Sequence, residues 1–531
     1  MENKNAVSLP YNSVSQKTFY LSFIPFHMNA RILTLCFCFF SLIAFAQKAD
    51  KPADTRNVPD PELSVTKHTI TLNGAGGEPQ KINYTATAGY LPQRDESGTI
   101  KANIFFVAYT RDGVTNPATR PITYTYNGGP GSASVWLHMG ALGPKRIVMG
   151  DDGSMLAPPY TVTDNEYTWL AFTDLVFIDP VMTGYSRPTE GVDKKEFTGY
   201  VEDIQSVGDF IRLYTTRNDR WASPKFLAGE SYGTTRSAGL SGYLQDRHGL
   251  FLNGIVLISS VLDFSTILFT SGNELPYSLF LPTFAAMAWY HKQVPAYSDL
   301  KTLLTDVEKY AAGDYTVALM KGDKLTPAER QTVATQLSKF TGLSTEYLLG
   351  SNLRIKDSRF TKELLRKQGR TVGRLDGRFT ASDYDRAGDT NEFDPSYNAT
   401  IYGPFTTAVN DHLHRTLKVK NDLPYEILTG RVRPWNYSNV QNQFLNTAET
   451  LRSAMTKNPY LKVHVCNGYY DMATPYFATD YTFAHMMLDP ALKKNITMSF
   501  YETGHMIYVD KPALISMTRY VADFYKTALP K

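Results

Sequence analysis

Polar and apolar residues alternate through "SVTKHTITL", "QKINYTATAGY" and "ANIFFVAYT", between Ser64 and about Thr123. That period-two rhythm, broken by Gly- and Asp-containing turns, predicts strands with one covered and one wet face. The pattern then changes. "PITYTYNGGPG", "DLVFIDP" and "KFLAGE" are short, apolar, β-rich runs that each end in a loop. Between the last two, "FTGYVEDIQSVGDFIRLYTTR" places Val201, Ile204, Val207, Phe210 and Ile211 at helical spacing. Strand, helix and strand with buried runs predict a mostly parallel sheet covered on both faces, an α/β architecture.

From about Phe264 to Asn436 strand signals are few and helical stretches long, among them "DLKTLLTDVEKYAAGDYTVALM" and "TPAERQTVATQLSKF". After them "LKVHVCNGYYD" and "NITMSFYETGH" resume the loop-ended β pattern. The simplest account is an α/β core with a β-rich N-terminal section and a helical cap insertion. The core occupies 61–264 and 437–531, and the cap 265–436. No internal repeat is visible.

Ahead of this lies a targeting segment. From Met28, "MNARILTLCFCFFSLIAFAQKADK" gives a basic start at Arg31, an apolar run from Ile32 to Phe45, and "AFA" before Gln47. That is the layout of a signal peptide cleaved after Ala46. Residues 1–46 are therefore expected to form a leader, with the signal at 28–46 and translation starting at Met28. The apolar run is too short to span a bilayer comfortably. Residues 47–60, charged and Pro-containing, read as a solvated linker. Export to a periplasm or the medium, without stable membrane insertion, is the expectation.

Of the three cysteines, Cys36 and Cys38 leave with the leader, so Cys466 has no internal disulfide partner. An exported chain without bridges must rest on a large core, which 531 residues allow. A net charge of +3, spread without dense Lys/Arg blocks, leaves a nucleic-acid partner without electrostatic support.

Within the core, "GESYG" (229–233) fits Gly-x-Ser-x-Gly, a turn that lifts Ser231 above a sheet at the head of a helix. Side chains at Gly229 and Gly233 would clash with so abrupt a turn. Alone the motif is also met as an ordinary Gly-rich strand-to-helix turn. A nucleophilic serine needs a base and an orienting acid, which this architecture delivers in the order Ser, Asp, His. Asp471, ending "LKVHVCNGYYD", and His505, after "ITMSFYETG", each follow a predicted strand. Both therefore fall at the C-terminal edge of the sheet, where open α/β sheets hold ligands. "YNGGPG" (126–131) ends another strand; alone it reads first as an ordinary tight turn, but beside the other two features its glycines can present the backbone N–H groups an oxyanion hole needs. His412 and His414 lack the partners of a metal site and are expected on the surface.

"NGGPG", "GESYG", "NGYYDMATP" and "GHM", in this order and spacing, resemble the serine carboxypeptidase family of α/β-hydrolases, with "NEYTW" (165–169) and "FIDPVMTGYS" (177–186) as supporting blocks. "LPYSLFLPTFAAMAWYH" is most similar to bacterial members. The resemblance implies Ser231 as nucleophile, His505 as general base and acid, and Asp471 as its orienter. It implies the Gly129 and Tyr232 amides as oxyanion hole. It also implies Asn127, Gly128 and Glu230 as substrate-binding residues, Asn127 and Glu230 gripping the free C-terminal carboxylate of a peptide. Two carboxylates that close share a proton, so mildly acid pH is expected to suit the site. The chain departs from the family at Thr125 and Ala141, where a Trp and an acidic residue are usual, and at Ser132 in place of a cysteine.

The expected activity is serine-type hydrolysis of C-terminal peptide bonds through an acyl-enzyme, needing no metal and no organic cofactor. The departures at Thr125 and Ala141 leave an esterase or acyltransferase open, and a silent binding protein on the same fold is the reading from another class. Side-chain preference and oligomeric state have no signature in the chain.

Overall fold

Three strands, β1 (Ser64–Leu72), β2 (Gln80–Arg94) and β3 (Ile100–Arg111), pair antiparallel in sequence order, where the alternating segments predict strands. The structure is a computed structural model that describes Thr55, residues 58–72 and residues 79–529. The expected leader and most of the expected linker lie outside those residues. Six further strands are mutually parallel: β4 (Ile122–Tyr126), β5 (Asp174–Ile178), β6 (Lys225–Ser231), β7 (Gly254–Ser260), β8 (Lys462–Gly468) and β9 (Ile496–Tyr501). The sheet runs β1-β2-β3-β5-β4-β6-β7-β8-β9, with β3 antiparallel to β5 and a short strand, Arg187–Pro188, set against β3. β7, from "GIVLISS", is a strand that the sequence reading passed over. It separates β6 from β8, and so carries the serine and the acid to the same edge.

Side-chain alternation on β6 shows why both faces must be covered. Phe226 and Ala228 join one apolar cluster, Leu227 the other. On the Leu227 face lie α1 (Tyr200–Arg217) and α2 (Tyr232–His248). Ile204, Val207, Phe210 and Ile211 of α1 are buried there as their spacing predicts; Val201, in the first turn, faces solvent at 39% exposure. On the opposite face packs the last helix, residues 511–528, through Leu514, Met517, Val521 and Phe524.

The chain between β7 and β8 divides its packing. Helices α3 (Leu275–Tyr290), α4 (Leu300–Tyr310) and α5 (Pro327–Thr341) build a third apolar cluster, which also takes in Tyr470, Met472 and Tyr476. The α5 start is a capping box, Thr326 and Glu329 satisfying each other's backbone amides. Further on, α6 (Tyr402–Asp411) returns to the sheet, where Phe405, Ala408 and Val409 share the cluster of Trp136 and Phe177. His412 follows α6 into that interior and corrects the expectation of a surface residue. It is 1% exposed, and its Nε2 lies 2.7 Å from the Tyr109 hydroxyl, which also meets His138 Nε2 at 2.6 Å. Burying a helix face here left an imidazole inside; the tyrosine hydroxyl meets its Nε2, while its Nδ1 is buried without a partner among the described residues. His414 is exposed, as expected. Among the described residues no helix is long and apolar enough to cross a membrane.

Candidate active site

β6 ends at Ser231, whose φ of +60° and ψ of −129° are nearly barred to a residue with a Cβ. Neighbouring contacts hold it there. A Cβ at Gly229 would lie 2.2 Å from the Gly233 carbonyl oxygen, and one at Gly233 2.9 Å from that of Tyr126. Only glycine lets β6, β4 and the first turn of α2 approach so closely. The turn sets Ser231 half-buried ahead of a 17-residue helix, whose N-terminal end carries the positive pole of its dipole.

His505 and Asp471 meet in the loops after β9 and β8. His505 Nδ1 donates to Asp471 Oδ2 at 2.7 Å. Asp471 is fully buried, and its carboxylate also accepts from the Ala473 and Thr474 amides at 2.7 and 3.0 Å and from the Thr474 hydroxyl at 2.7 Å. With its oxygens so engaged, the acid fixes one face of the imidazole and leaves Nε2 for other work. Burial presses the His505 pKa down, yet it ends above the usual histidine value, because the Asp471 charge and hydrogen bond outweigh that cost; Glu230 assists and Arg374 opposes.

Ser231 and His505 line one pocket of about 410 Å³ together with Asn127, Gly128, Gly129, Glu230 and Tyr232. All the expected site residues but Asp471 thus face one space, and Asp471 stands directly behind His505. Among the described residues no hydrogen bond joins Ser231 Oγ to His505 Nε2, and neither the Gly129 nor the Tyr232 amide meets an acceptor. Gly128 packs on the head of α2 so closely that a Cβ there would lie 2.4 Å from the Tyr232 nitrogen.

Glu230 and Asn127 stand side by side at the ends of β6 and β4, Asn127 Nδ2 donating to Glu230 Oε1 at 3.1 Å. Asn127 is itself fixed, because its Oδ1 accepts from the Leu137 amide at 3.1 Å and its carbonyl from Arg236 at 2.6 Å. Glu230 is 3% exposed, and burial pushes its carboxyl up to about 7, opposed by His505, by the neighbouring Tyr508 hydroxyl and by Asn127, and helped by Asp471. Glu230 Oε2 and the nearby Tyr508 hydroxyl are buried without hydrogen-bond partners among the described residues. At the positions where the chain departs from the family, Thr125 Oγ1 is likewise buried and unpartnered, while the Ala141 carbonyl accepts from Asn165 at 2.6 Å.

Sequence reasoning missed Thr474, Tyr508 and Arg374. Thr474 lies three residues past the acid, an ordinary place for a hydroxyl that closes a carboxylate turn, and could have been found. Nothing local marks the other two.

Comparison with known proteins bears on the family and the fold. The family model described as serine carboxypeptidase matches residues 77–514. The pheromone-processing carboxypeptidase KEX1 of Saccharomyces cerevisiae is 32% identical over 156 residues, which cover 27% of this chain and 20% of that protein. Serine carboxypeptidase-like 35 of Arabidopsis thaliana is 24% identical over 241 residues, 44% of this chain and 46% of that one. The alignments thus span from a fifth to under half of these curated relatives. The crystal structure of the S. cerevisiae prohormone-processing carboxypeptidase Kex1(delta)p superposes with a TM-score of 0.54 at 16% identity, covering 83% of this chain and 91% of that one, which shows a shared α/β-hydrolase fold.

Proposed function

The chain belongs to the serine carboxypeptidase family, and from that premise we propose that it is an exported serine hydrolase that cleaves residues from the C-termini of peptides. The observation that carries the reading is the buried His505–Asp471 hydrogen bond, 2.7 Å long, behind the same pocket that Ser231 lines. Ser231 Oγ attacks the scissile carbonyl while His505 Nε2 takes its proton and later passes it to the leaving amine. Asp471, bonded to Nδ1, keeps the ring in the tautomer this requires and stabilises the imidazolium. The oxyanion faces the amides of Gly129 and Tyr232, which have no competing acceptor. Water then hydrolyses the acyl-enzyme by the same proton path in reverse.

Asn127, Gly128 and Glu230 receive the free carboxylate of the substrate. Such a group beside Glu230 is tolerable when Glu230 is protonated, which its elevated pKa allows at mildly acid pH. Segment 265–436 serves as a cap, and Ile267, Arg374, Leu375, Tyr397 and Leu428 from it line the pocket. The leader at 28–46 supports export to a periplasm or the medium. The experiment compares a free peptide, its C-terminal amide and a small ester. Preference for the free peptide, lost with Ser231→Ala, supports the reading. Faster turnover of the ester, with no preference for the free peptide over its amide, favours the esterase or acyltransferase alternative, to which the Thr125 hydroxyl, unpartnered among the described residues at the altered position, lends weight.

A further inference from the structure

The stretch "RLDGR", Arg374–Arg378, belongs to the inserted segment and lies far in sequence from both His505 and Asp471, yet it holds the loops of both. The His505 amide donates to the Leu375 carbonyl at 2.6 Å. The preceding amide, Gly504, donates to Asp376 Oδ2 at 3.1 Å. On the acid's side, the Met472 amide donates to the Arg374 carbonyl at 3.1 Å and the Gly377 amide to the Tyr470 carbonyl at 3.0 Å. Both neighbours of Asp471 and both amides leading into the His505 ring therefore hang from five consecutive residues.

Asp376 is the fixed point of this stretch. It is 4% exposed, and Arg378 Nη2 donates to its Oδ2 at 2.8 Å. The same guanidinium reaches Asp510 Oδ2 at 2.8 Å, and Asp510 Oδ1 caps the C-terminal helix through the Ala513 amide at 3.0 Å. Contact at Gly504 is tight, since a Cβ there would lie 2.4 Å from both Asp376 Cβ and the Leu375 carbonyl oxygen. Arg374 and Leu375 meanwhile line the pocket.

We propose that Asp376 is a positioning residue: through Gly504, Leu375 and its ion pair with Arg378 it sets the distance of the His505 ring from Ser231. A buried, charge-paired carboxylate is costly to hold and gives good geometry in return only when fully bonded, as here. Its neighbours Arg374 and Leu375 make the same five residues part of the pocket wall, so the inserted segment both shapes the substrate space and places the base. This inference rests on the assignment of His505 as the base.

The test measures kcat, KM and the rate of Ser231 labelling by an organofluorophosphonate for the parent, Asp376→Ala and Asp376→Asn, with thermal melting as a fold check. In folded Asp376→Ala, kcat and the labelling rate are expected to fall together by about 100-fold, the cost of roughly 1 Å of misplacement, with KM held within about threefold. Asp376→Asn keeps an acceptor for the Gly504 amide and should recover part of the loss; if the alanine variant does not fold, a drop of about 10-fold in kcat for the asparagine variant decides the point. A folded variant with kcat and labelling within about twofold of the parent, or with the whole loss in KM, overturns the proposal. Failure of the parent itself to be labelled at Ser231 would instead overturn the assignment of the site.

Discussion

Asn127 and Glu230 meet side by side at the edge of the sheet, 3.1 Å apart, with the glutamate's second oxygen buried beside Tyr508 and without a hydrogen-bond partner among the described residues. An ionised carboxylate half-satisfied in an enclosed site is unfavourable, and the pair is stable as drawn when Glu230 carries a proton.

Glu230→Gln therefore has two expected effects. It should flatten the acid preference of kcat/KM toward peptides with a free carboxylate. It should also change stability with a definite sign. Burial raises the folded pKa to about 7 from an ordinary 4.5, so the folded state keeps a proton the unfolded state has lost, and stability falls as pH rises through that window. The glutamine variant escapes this loss. Its Tm should exceed the parent's by roughly 2–4 °C at pH 8 and the gap should close by pH 5. A pH-independent difference in Tm would show that Glu230 does not titrate in this window.

Ser231 sits at a positive φ that glycine adopts freely. Ser231→Gly should abolish turnover while raising the urea midpoint, by a free energy on the order of 1 kcal/mol once the glycine's own unfolded-state entropy is set against the relief of strain. Ser231→Ala, which keeps the strain, should be equally inactive with an unchanged midpoint. An inactive glycine variant that is less stable than the alanine variant would mean the turn stores no strain.

Gly128→Ala places a methyl group where the Tyr232 amide stands, 2.4 Å from its nitrogen. Blocking or displacing one oxyanion donor costs about 100-fold or more in kcat. The expected result is a kcat loss of that size in a protein that still folds and still binds a product carboxylate, read by titration calorimetry. Wild-type kcat would remove Gly128 and the Tyr232 amide from the site.

What could be read from the chain, and what could not, follows from the range of the interactions. The elbow declares itself because part of its constraint is local: Gly229 is required by backbone contact with Gly233 within one turn, although Gly233 itself is held by the distant Tyr126 carbonyl. Asp471 and His505 are legible because a strand ending in a loop fixes where the first residues of that loop must be. Thr474 shares that locality. Asp376 does not, since it reaches Gly504 across 128 residues, and "RLDGR" alone reads as a polar turn. The burial of His412 is hidden for the same reason: the tyrosine that meets its Nε2 is 303 residues away. A change of rhythm marks the chain between β7 and β8, but the return of α6 to the sheet depends on which apolar face meets it, which spacing does not encode.

Beneath the elbow, Arg236 and Asp203 form an ion pair at 2.8 Å with side chains 1% and 2% exposed. Arg236 also donates to the Asn127 carbonyl and lies over the rings of Tyr126 and Tyr232, at 5.1 and 5.4 Å. Removing the acid alone leaves a buried guanidinium without its counter-charge. Asp203→Ala should cost about 3–5 kcal/mol in chemical denaturation, whereas Asp203→Ala with Arg236→Met should recover part of that cost by removing the stranded charge. The double variant still lacks the hold on the Asn127 carbonyl, so its KM for free-carboxylate peptides should stay raised even where stability returns. Stability and KM recovering together would show that the pair supports the fold alone.

Buried histidines set the opposite pH trend from Glu230. Burial pushes His412 down to about 3 and His464 to about 4, and depresses His138 as well. Their unfolded forms bind protons below about 6.5, where the folded forms do not, so each removes stability as pH falls through that range. Acid that favours the proposed chemistry thus weakens the scaffold around it. His464 isolates the effect best, because its ring lies away from the pocket, bonded to Thr497 and Ser499 at 2.8 and 3.1 Å. His464→Asn removes one titrating group from the interior. The variant is expected to lose some stability at pH 7, where the histidine bonds are intact, and to show a shallower fall in Tm between pH 7 and pH 4.5. A parallel fall in both proteins would mean that His464 takes up no proton on unfolding, and that the acid sensitivity arises at other buried rings.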